Sequence, residues 1–177
     1  NERQIIVGKS DSQKDEFDTI LFANRDIKNA VIPNNIKYIK PYAFEYCKQL
    51  KTIFFEKDSQ LSIIGKRAFS FSGLKSIKIP KSVIKIRSKA FDFCYDLKNV
   101  FFENESKLIS IKEETFLFDK ELKLIEIPEN SSLQSIGSRA FYDSSINSLF
   151  IPATVEELAD DCFENANKLT NLKISNI

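Results

Sequence analysis

The sequence predicts a mostly-β solenoid, a stack of short coils with a strand in each, preceded by a β-hairpin. Three observations predict it. A phenylalanine recurs at Phe44, Phe69, Phe91, Phe116, Phe141 and Phe163, spaced by 25, 22, 25, 25 and 22 residues. Aliphatic residues hold fixed offsets from each of these anchors. A run of the form L-x-x-I-x-I then closes every period, and its last part alternates as a half-buried strand does.

The hairpin comes first in the chain. Ile5-Ile6-Val7 and Thr19-Ile20-Leu21-Phe22-Ala23 are β-branched and aromatic runs separated by the polar stretch Gly8 to Glu16. Strand, polar loop, strand reads as a hairpin with a long loop. The acidic loop residues lack the D-x-[DN]-x-[DN]-G order of a calcium loop, so they read as solvated. Residues 1–26 are therefore assigned to an N-terminal hairpin island and residues 27–177 to a solenoid of about six repeats.

Within the solenoid, eight residues before each anchor stands Ile36, Leu61, Val83, Leu108, Leu133 or Val155. Five before stands Ile39, Ile64, Ile86, Ile111, Ile136 or Leu158. The closing runs are Leu50/Ile53/Phe55, Leu74/Ile77/Ile79, Leu97/Val100/Phe102, Leu122/Ile125/Ile127, Ile146/Leu149/Ile151 and Leu169/Leu172/Ile174, with Ile27/Ala30/Ile32 opening the series. A period of 20–29 residues with this run is the signature of a leucine-rich repeat. The expected fold is a right-handed, curved stack with one parallel β-sheet on the concave side and turns or short 3₁₀ segments on the convex side. Pro33, Pro80, Pro128 and Pro152 follow the strands directly and mark where pairing stops, because proline has no N–H for the ladder. Long and short periods differ only at the corner after the strand, as between Ile79-Pro80-Lys81-Ser82-Val83 and Glu103-Asn104-Glu105-Ser106-Lys107-Leu108. Coils stacked at the strand spacing of about 4.8 Å bring equivalent residues into columns, so the anchors form an aromatic spine.

Ile79 to Val100 carries I-P-x-S-V-x-x-I-x-x-x-A-F-x-x-C-x-x-L-K-x-I, which resembles the leucine-rich repeat of BspA-like proteins of oral bacteria and parasitic protists. The resemblance runs from Ile27 to Ile174, and the opening hairpin is similar to the non-repeat islands between repeat blocks in the protist members. It implies a cell-surface or secreted protein that adheres to a protein ligand, such as a host extracellular-matrix or cell-surface protein. A cytoplasmic scaffold and a structural or self-associating spacer in a longer array are the alternatives. The last repeat departs from the pattern, with Cys162 where alanine is expected. No polar cap follows Ile174, so the C-terminal coil is expected to present an open edge for self-association. The chain starts at Asn1 with neither Met nor a signal-like segment, and reads as a piece of a longer array.

Composition narrows the chemistry. A net charge of +1 suggests neither nucleic acid nor an anionic membrane as partner, and no apolar window is long enough to span a bilayer. There is no His, which removes Ser-His-Asp, Cys-His and imidazole-metal sites, and no G-x-G-x-x-G, P-loop or C-x-x-C. Glu113-Glu114 and Asp160-Asp161 are neighbours on turns and read as surface carboxylates. The expectation is a non-catalytic protein without metal or cofactor. Cys47 and Cys94 share a column two coils apart, about 10 Å, beyond disulfide reach. With Ser72, Asp119 and Ser144 aligned near them, the cysteines are expected to be small, buried and free.

The outward positions of the strands are where function is expected, since successive repeats make one continuous surface there. These positions hold Val31, Phe54, Lys78, Phe101, Glu126, Phe150 and Lys173, with three phenylalanines interleaved with charges. Phe54, Lys78, Phe101, Glu126, Phe150 and Lys173 are the candidate protein-binding residues. Tyr46, Phe71, Phe93 and Phe118, each two after an anchor, are expected to fill the core. Asn104 and Asn130 head N-x-[ST] sequons in the exposed corner, open to glycosylation in a secreted protein.

Overall fold

The structure, a computed structural model, describes residues 4–13 and 15–175. Strands β1 (Ile5–Gly8) and β2 (Thr19–Ala23) pair antiparallel as the opening hairpin, with a bulge between Ile6 and Val7. The polypeptide then winds through β3 (Asn29–Ile32), β4 (Tyr38–Ile39), β5 (Thr52–Phe55), β6 (Ile63–Ile64), β7 (Ser76–Ile79), β8 (Lys85–Ile86), β9 (Asn99–Phe102), β10 (Ser110–Ile111), β11 (Leu124–Glu126), β12 (Ser135–Ile136), β13 (Ser148–Ile151), β14 (Glu157–Leu158) and β15 (Asn171–Ile174). Each of six coils supplies a longer strand, a two-residue strand and one anchor phenylalanine, and β15 begins a seventh. Coils are counted here from β3, so coil 1 holds β3, β4 and Phe44.

The anchor and aliphatic columns predicted to point inward are buried through the middle of the stack. Ile39, Ile64, Ile86, Ile111 and Ile136 are buried, as are the leucines and isoleucines of the closing runs in the middle coils. Phe44, Phe69, Phe91, Phe116 and Phe141 are fully buried and stack face to face, with ring centroids 5.0, 5.2, 5.4 and 5.7 Å apart. Phe163 continues the spine at 5.4 Å but is only partly covered. The centroid spacing slightly exceeds the strand spacing, as offset rings require.

Two features depart from expectation. Where turns or short 3₁₀ segments were expected, the two-residue strands build a second sheet in the order β1-β2-β4-β6-β8-β10-β12-β14, so the hairpin joins the stack through β2 and β4, paired in parallel at Thr19/Tyr38 and Ile20/Ile39. The sheet of longer strands, expected to be single, is split into β3-β5 and β15-β13-β11-β9-β7.

The Ala-Phe segment is a chain of turns rather than a 3₁₀ helix. Turn bonds run from Ala43 N–H to Lys40 O at 3.3 Å and from Glu45 N–H to Tyr42 O at 3.1 Å. A left-handed residue interrupts the series two before the anchor (Tyr42, Arg67, Lys89, Glu114, Arg139) and two after it (Tyr46, Phe71, Phe93, Phe118, Asp143, Asn165), with φ between 51° and 63°. Each such non-glycine residue costs about 1–2 kcal/mol. Hydrogen bonds between coils offset that cost, as the N–H groups of Tyr42, Phe44 and Tyr46 donate to the carbonyls of Lys66, Ala68 and Ser70 at 3.0, 2.7 and 2.9 Å. The same geometry overturns the expected burial of the second aromatic set. Its left-handed backbone turns these side chains outward, leaving Tyr46 at 48% exposure and Phe71, Phe93 and Phe118 half-buried. They form a second stack on the surface, at 4.9, 4.6 and 5.1 Å.

At the far end of the stack, core-type positions lose their cover. Leu158, Leu172 and Ile174 are 37%, 44% and 56% exposed, whereas Ile136, Leu149 and Ile151, one coil earlier, are 1–2% exposed.

Candidate functional site

The outward strand positions lie side by side, in the registers Val31–Phe54, Lys78–Phe101–Glu126 and Phe150–Lys173. Alternation along each strand puts them on one face, opposite the buried Ala30, Ile77, Val100 and Ile125. Phe101, flanked on both sides by long charged side chains, is half-buried, and so is Phe150. Phe54 has Val31 on one side and no paired strand on the other; the two are 62% and 58% exposed. Lys78, Glu126 and Lys173 are exposed. The outward row therefore resolves into one open apolar pair, Val31 and Phe54, and two partly covered rings, Phe101 and Phe150.

At the break beside Phe54 the hydrogen bonding of the corners changes partner. At the corner after β5, Gln60 N–H bonds back to Asn34 O at 2.8 Å, and the Glu56 carboxylate accepts the Asn34 N–H at 3.1 Å. The corner after β7 leans the other way, with Lys81 N–H donating to Glu103 at 3.0 Å and Lys107 N–H to Lys81 O at 3.1 Å. Pro80 offers no N–H where Glu56 and Glu103 each bond to the preceding coil at 3.1 Å. The bond from Lys75 N–H to Lys51 O stretches to 3.4 Å, and the strands part beyond it. Between them opens a cleft of about 460 Å³, walled by Ile53, Phe54 and Phe55 and rimmed by Lys57, Lys78 and Lys81. Ile53 and Phe55 are only partly buried here, unlike their column mates Ile77, Val100, Ile79 and Phe102. Sequence reasoning missed this cleft; its only trace was a long corner, Glu56 to Gln60, followed by a short one at Pro80.

The cleft rim is an ionic lattice. Lys78 approaches Glu103 at 3.5 Å and Lys81 approaches Glu105 at 2.9 Å. The hydrogen bond between them raises the Lys81 pKa and lowers that of Glu105. Both groups lie in water, so the pair orders the rim more than it stabilises the fold.

The cysteines lie in the interior, Cys47 and Cys94 in one column and Cys162 in the alanine column. Cys47, Cys94 and Cys162 are buried and free. Cys94 Sγ donates to Phe69 O at 3.1 Å and lies 3.3 Å from Ser72 Oγ. Desolvation, with Asp119 nearby, pushes its thiol well above the ordinary range. That disfavours the thiolate a nucleophile needs. Asp119 and Asp92 are also fully buried, and burial raises both carboxyls, Asp119 strongly. Arg67 Nε stands 3.8 Å from Asp92. Among the described residues no cluster of three or more Asp, Glu or Cys has metal-binding geometry.

In the two sequons Asn104 and Asn130 are exposed; the hydroxyl residue of the first, Ser106, is buried, and that of the second, Ser132, is exposed. Asn130 Oδ1 accepts the Glu105 N–H at 3.1 Å. Among the described residues no helix is long and apolar enough to cross a membrane.

The structure is similar to several solved repeat proteins. A leucine-rich repeat protein of T. pallidum superposes with a TM-score of 0.83 at 24% identity, over 98% of this chain and 80% of that one. A leucine-rich cell surface protein of Faecalibacterium prausnitzii gives 0.73 at 22%, over 88% of this chain and 50% of that one. A leucine-rich repeat protein of Eubacterium ventriosum gives 0.59 at 20%, over 90% of this chain and 47% of that one. The chain thus spans about half the length of two of these three. No curated protein matches the sequence. The family description "BspA type Leucine rich repeat region" matches residues 15–131 and 102–177, in six copies. With the aromatic spine, the strand columns and this match over nearly its whole length, the chain belongs to the BspA-type leucine-rich repeat family.

Proposed function

We propose that the chain is a non-catalytic protein-binding module of a cell-surface or secreted protein, and that it engages its protein ligand through the outward face of the longer strands. The observation that carries this reading is the exposed pair Val31 and Phe54, set at the break in the sheet. Large apolar side chains next to a rimmed cleft suit the anchor-and-rim layout of protein interfaces. Family membership supports a surface repeat module, and the cell-surface description of the F. prausnitzii protein is in keeping with it.

The test is binding of the labelled chain to a panel of immobilised extracellular-matrix proteins. The double variant Val31→Ser/Phe54→Ser should lose binding by about tenfold or more while its melting temperature stays put. Equal binding by variant and wild type would sink the strand-face reading. Failure of the wild type to bind any member of the panel would count against matrix adhesion.

A second reading, in which the last coil packs against a further coil of the array or a second copy of this chain, is favoured by the exposure of Leu158, Leu172 and Ile174. Sedimentation over a concentration series separates the two. A strict monomer, unchanged by Leu172→Glu, removes pairing with a second copy.

A further inference from the structure

The sheet of two-residue strands carries a feature that the strand-face reading does not use. The residue after each of these strands is Lys40, Gly65, Arg87 and Lys112 in coils 1 to 4. Glycine thus interrupts a column of long cationic side chains. It is required there because coils 1 and 2 approach closely: a Cβ on Gly65 would lie 2.5 Å from Pro41 N and 2.6 Å from Lys40 C. Without a side chain at this rung, a hollow of about 660 Å³ opens between Lys40 and Arg87, with Lys66 beside it. That volume is in the range of small-molecule sites.

The chemistry of the walls is specific. Lys40, Lys66 and Arg87 are exposed, and none has a carboxylate within ion-pair distance among the described residues. Tyr38 and Ile63 supply an aromatic and an aliphatic surface, and Ser88 a hydroxyl. The mouth is bounded by Ser10 and Asp11 of the hairpin loop. That loop is held by a buried anchor: Ser10 donates to the Asp18 carboxylate through its N–H at 2.7 Å and its hydroxyl at 2.6 Å. The Asp18 carbonyl in turn accepts the N–H groups of Lys37 and Tyr38 at 2.7 and 3.2 Å. Asp11 is the one acidic group in the wall and opposes an anion there.

The rest of the same face limits the ligand's length. From Glu113 in coil 4 onward, acidic residues are exposed on this side, with Glu156, Glu157 and Asp160 in coil 6. A long polyanion or a flat anionic membrane would be repelled over that half. A short ligand would meet only the cationic half. Unpaired cations call for oxyanions, and a ring face can lie on Tyr38. From this arrangement we infer that the hollow between Lys40, Lys66 and Arg87 binds a short sulfated or phosphorylated sugar. The site is independent of the strand face.

Isothermal titration tests this with three probes: sucrose octasulfate, trehalose 6-phosphate and plain sucrose. Binding of either charged sugar, without binding of sucrose, supports the site, and the stronger of the two identifies sulfate or phosphate as the source. Lys66→Ala/Arg87→Ala should weaken that binding about tenfold or more, and Asp11→Asn should strengthen it about threefold. Lys98→Ala, an exposed lysine beside the longer strands, should leave it unchanged. All substituted residues are exposed, so the fold should persist in every variant. The inference is overturned if neither charged sugar binds, if sucrose binds equally, or if Lys98→Ala weakens binding as much as the double variant.

Discussion

The Asp119 carboxylate accepts the Cys94 amide N–H at 2.7 Å, in a wall where neither residue reaches solvent. At the equivalent position the neighbouring coils carry Cys94 and Ser144, small and uncharged. One hydrogen bond from an amide does not repay the burial of a charge, so desolvation holds the Asp119 carboxyl well above its ordinary range. The unfolded chain releases this proton at the ordinary carboxyl value, and the folded chain keeps it to higher pH. The stability associated with the neutral form is complete at low pH and is lost as pH rises from the ordinary value through the folded one. Asp119→Asn keeps the acceptor and removes the titration. It should stabilise the fold by about 1–3 kcal/mol at neutral pH and by close to nothing in acid. Urea midpoints of both proteins across about pH 3 to 8 check this. Asp92, also raised by burial, leaves the variant with a remaining slope of the same sign.

The spine predicts a graded series. Phe91 lies between Phe69 at 5.2 Å and Phe116 at 5.4 Å with no exposed surface, so Phe91→Ala should cost about 3–5 kcal/mol. Phe163 has a stacking partner on one side, Phe141, and is only partly covered. Phe163→Ala should cost less, by at least about 1 kcal/mol. Denaturant unfolding of the two variants gives the comparison, and equal losses would contradict the spine's role.

On the strand face, exposure separates two residues with the same sequence environment. Phe54→Ser should change stability by no more than about 0.5 kcal/mol. Phe101→Ser uncovers a half-buried ring site between Lys78 and Glu126 and should cost about 1–2 kcal/mol. Thermal melts of the two single variants decide the point.

Asp18 provides a titration of opposite sign. Bonds from the Ser10 side chain and N–H, with a smaller contribution from Thr19, hold its carboxyl below the ordinary value despite burial. The stability it supplies is therefore present above the ordinary value and lost as pH falls through the folded one. Asp18→Ala should speed hydrogen exchange at the Ser10 amide by about tenfold or more while leaving the Ile64 amide protected. Exchange measured amide by amide distinguishes a local loss from a global one.

Much of the molecule could be read before any coordinates. The spine, the buried isoleucine columns, the hairpin strands and the small cysteine column were each readable because a solenoid repeats one local environment. A residue's offset from the nearest anchor then states its burial. The second aromatic set was misjudged because its backbone is left-handed, and nothing about phenylalanine announces that conformation. The two-residue strands escaped notice for a related reason: two residues are too few to show alternation.

The sequence by itself determined the period, the inward columns and the face on which Phe54, Phe101 and Phe150 stand, because side-chain direction follows from backbone periodicity within a single coil. Only the tertiary structure decided that Phe54 stands open at a split sheet while Phe101 is half covered, and that Lys40, Lys66 and Arg87 surround a hollow. Those outcomes depend on how one coil's corner bonds to the next, as Gln60 bonds back to Asn34 and Lys107 to Lys81, and on how closely Gly65 lets two backbones approach. Such contacts join residues more than twenty positions apart, and a repeat pattern specifies each coil without specifying the gaps between them.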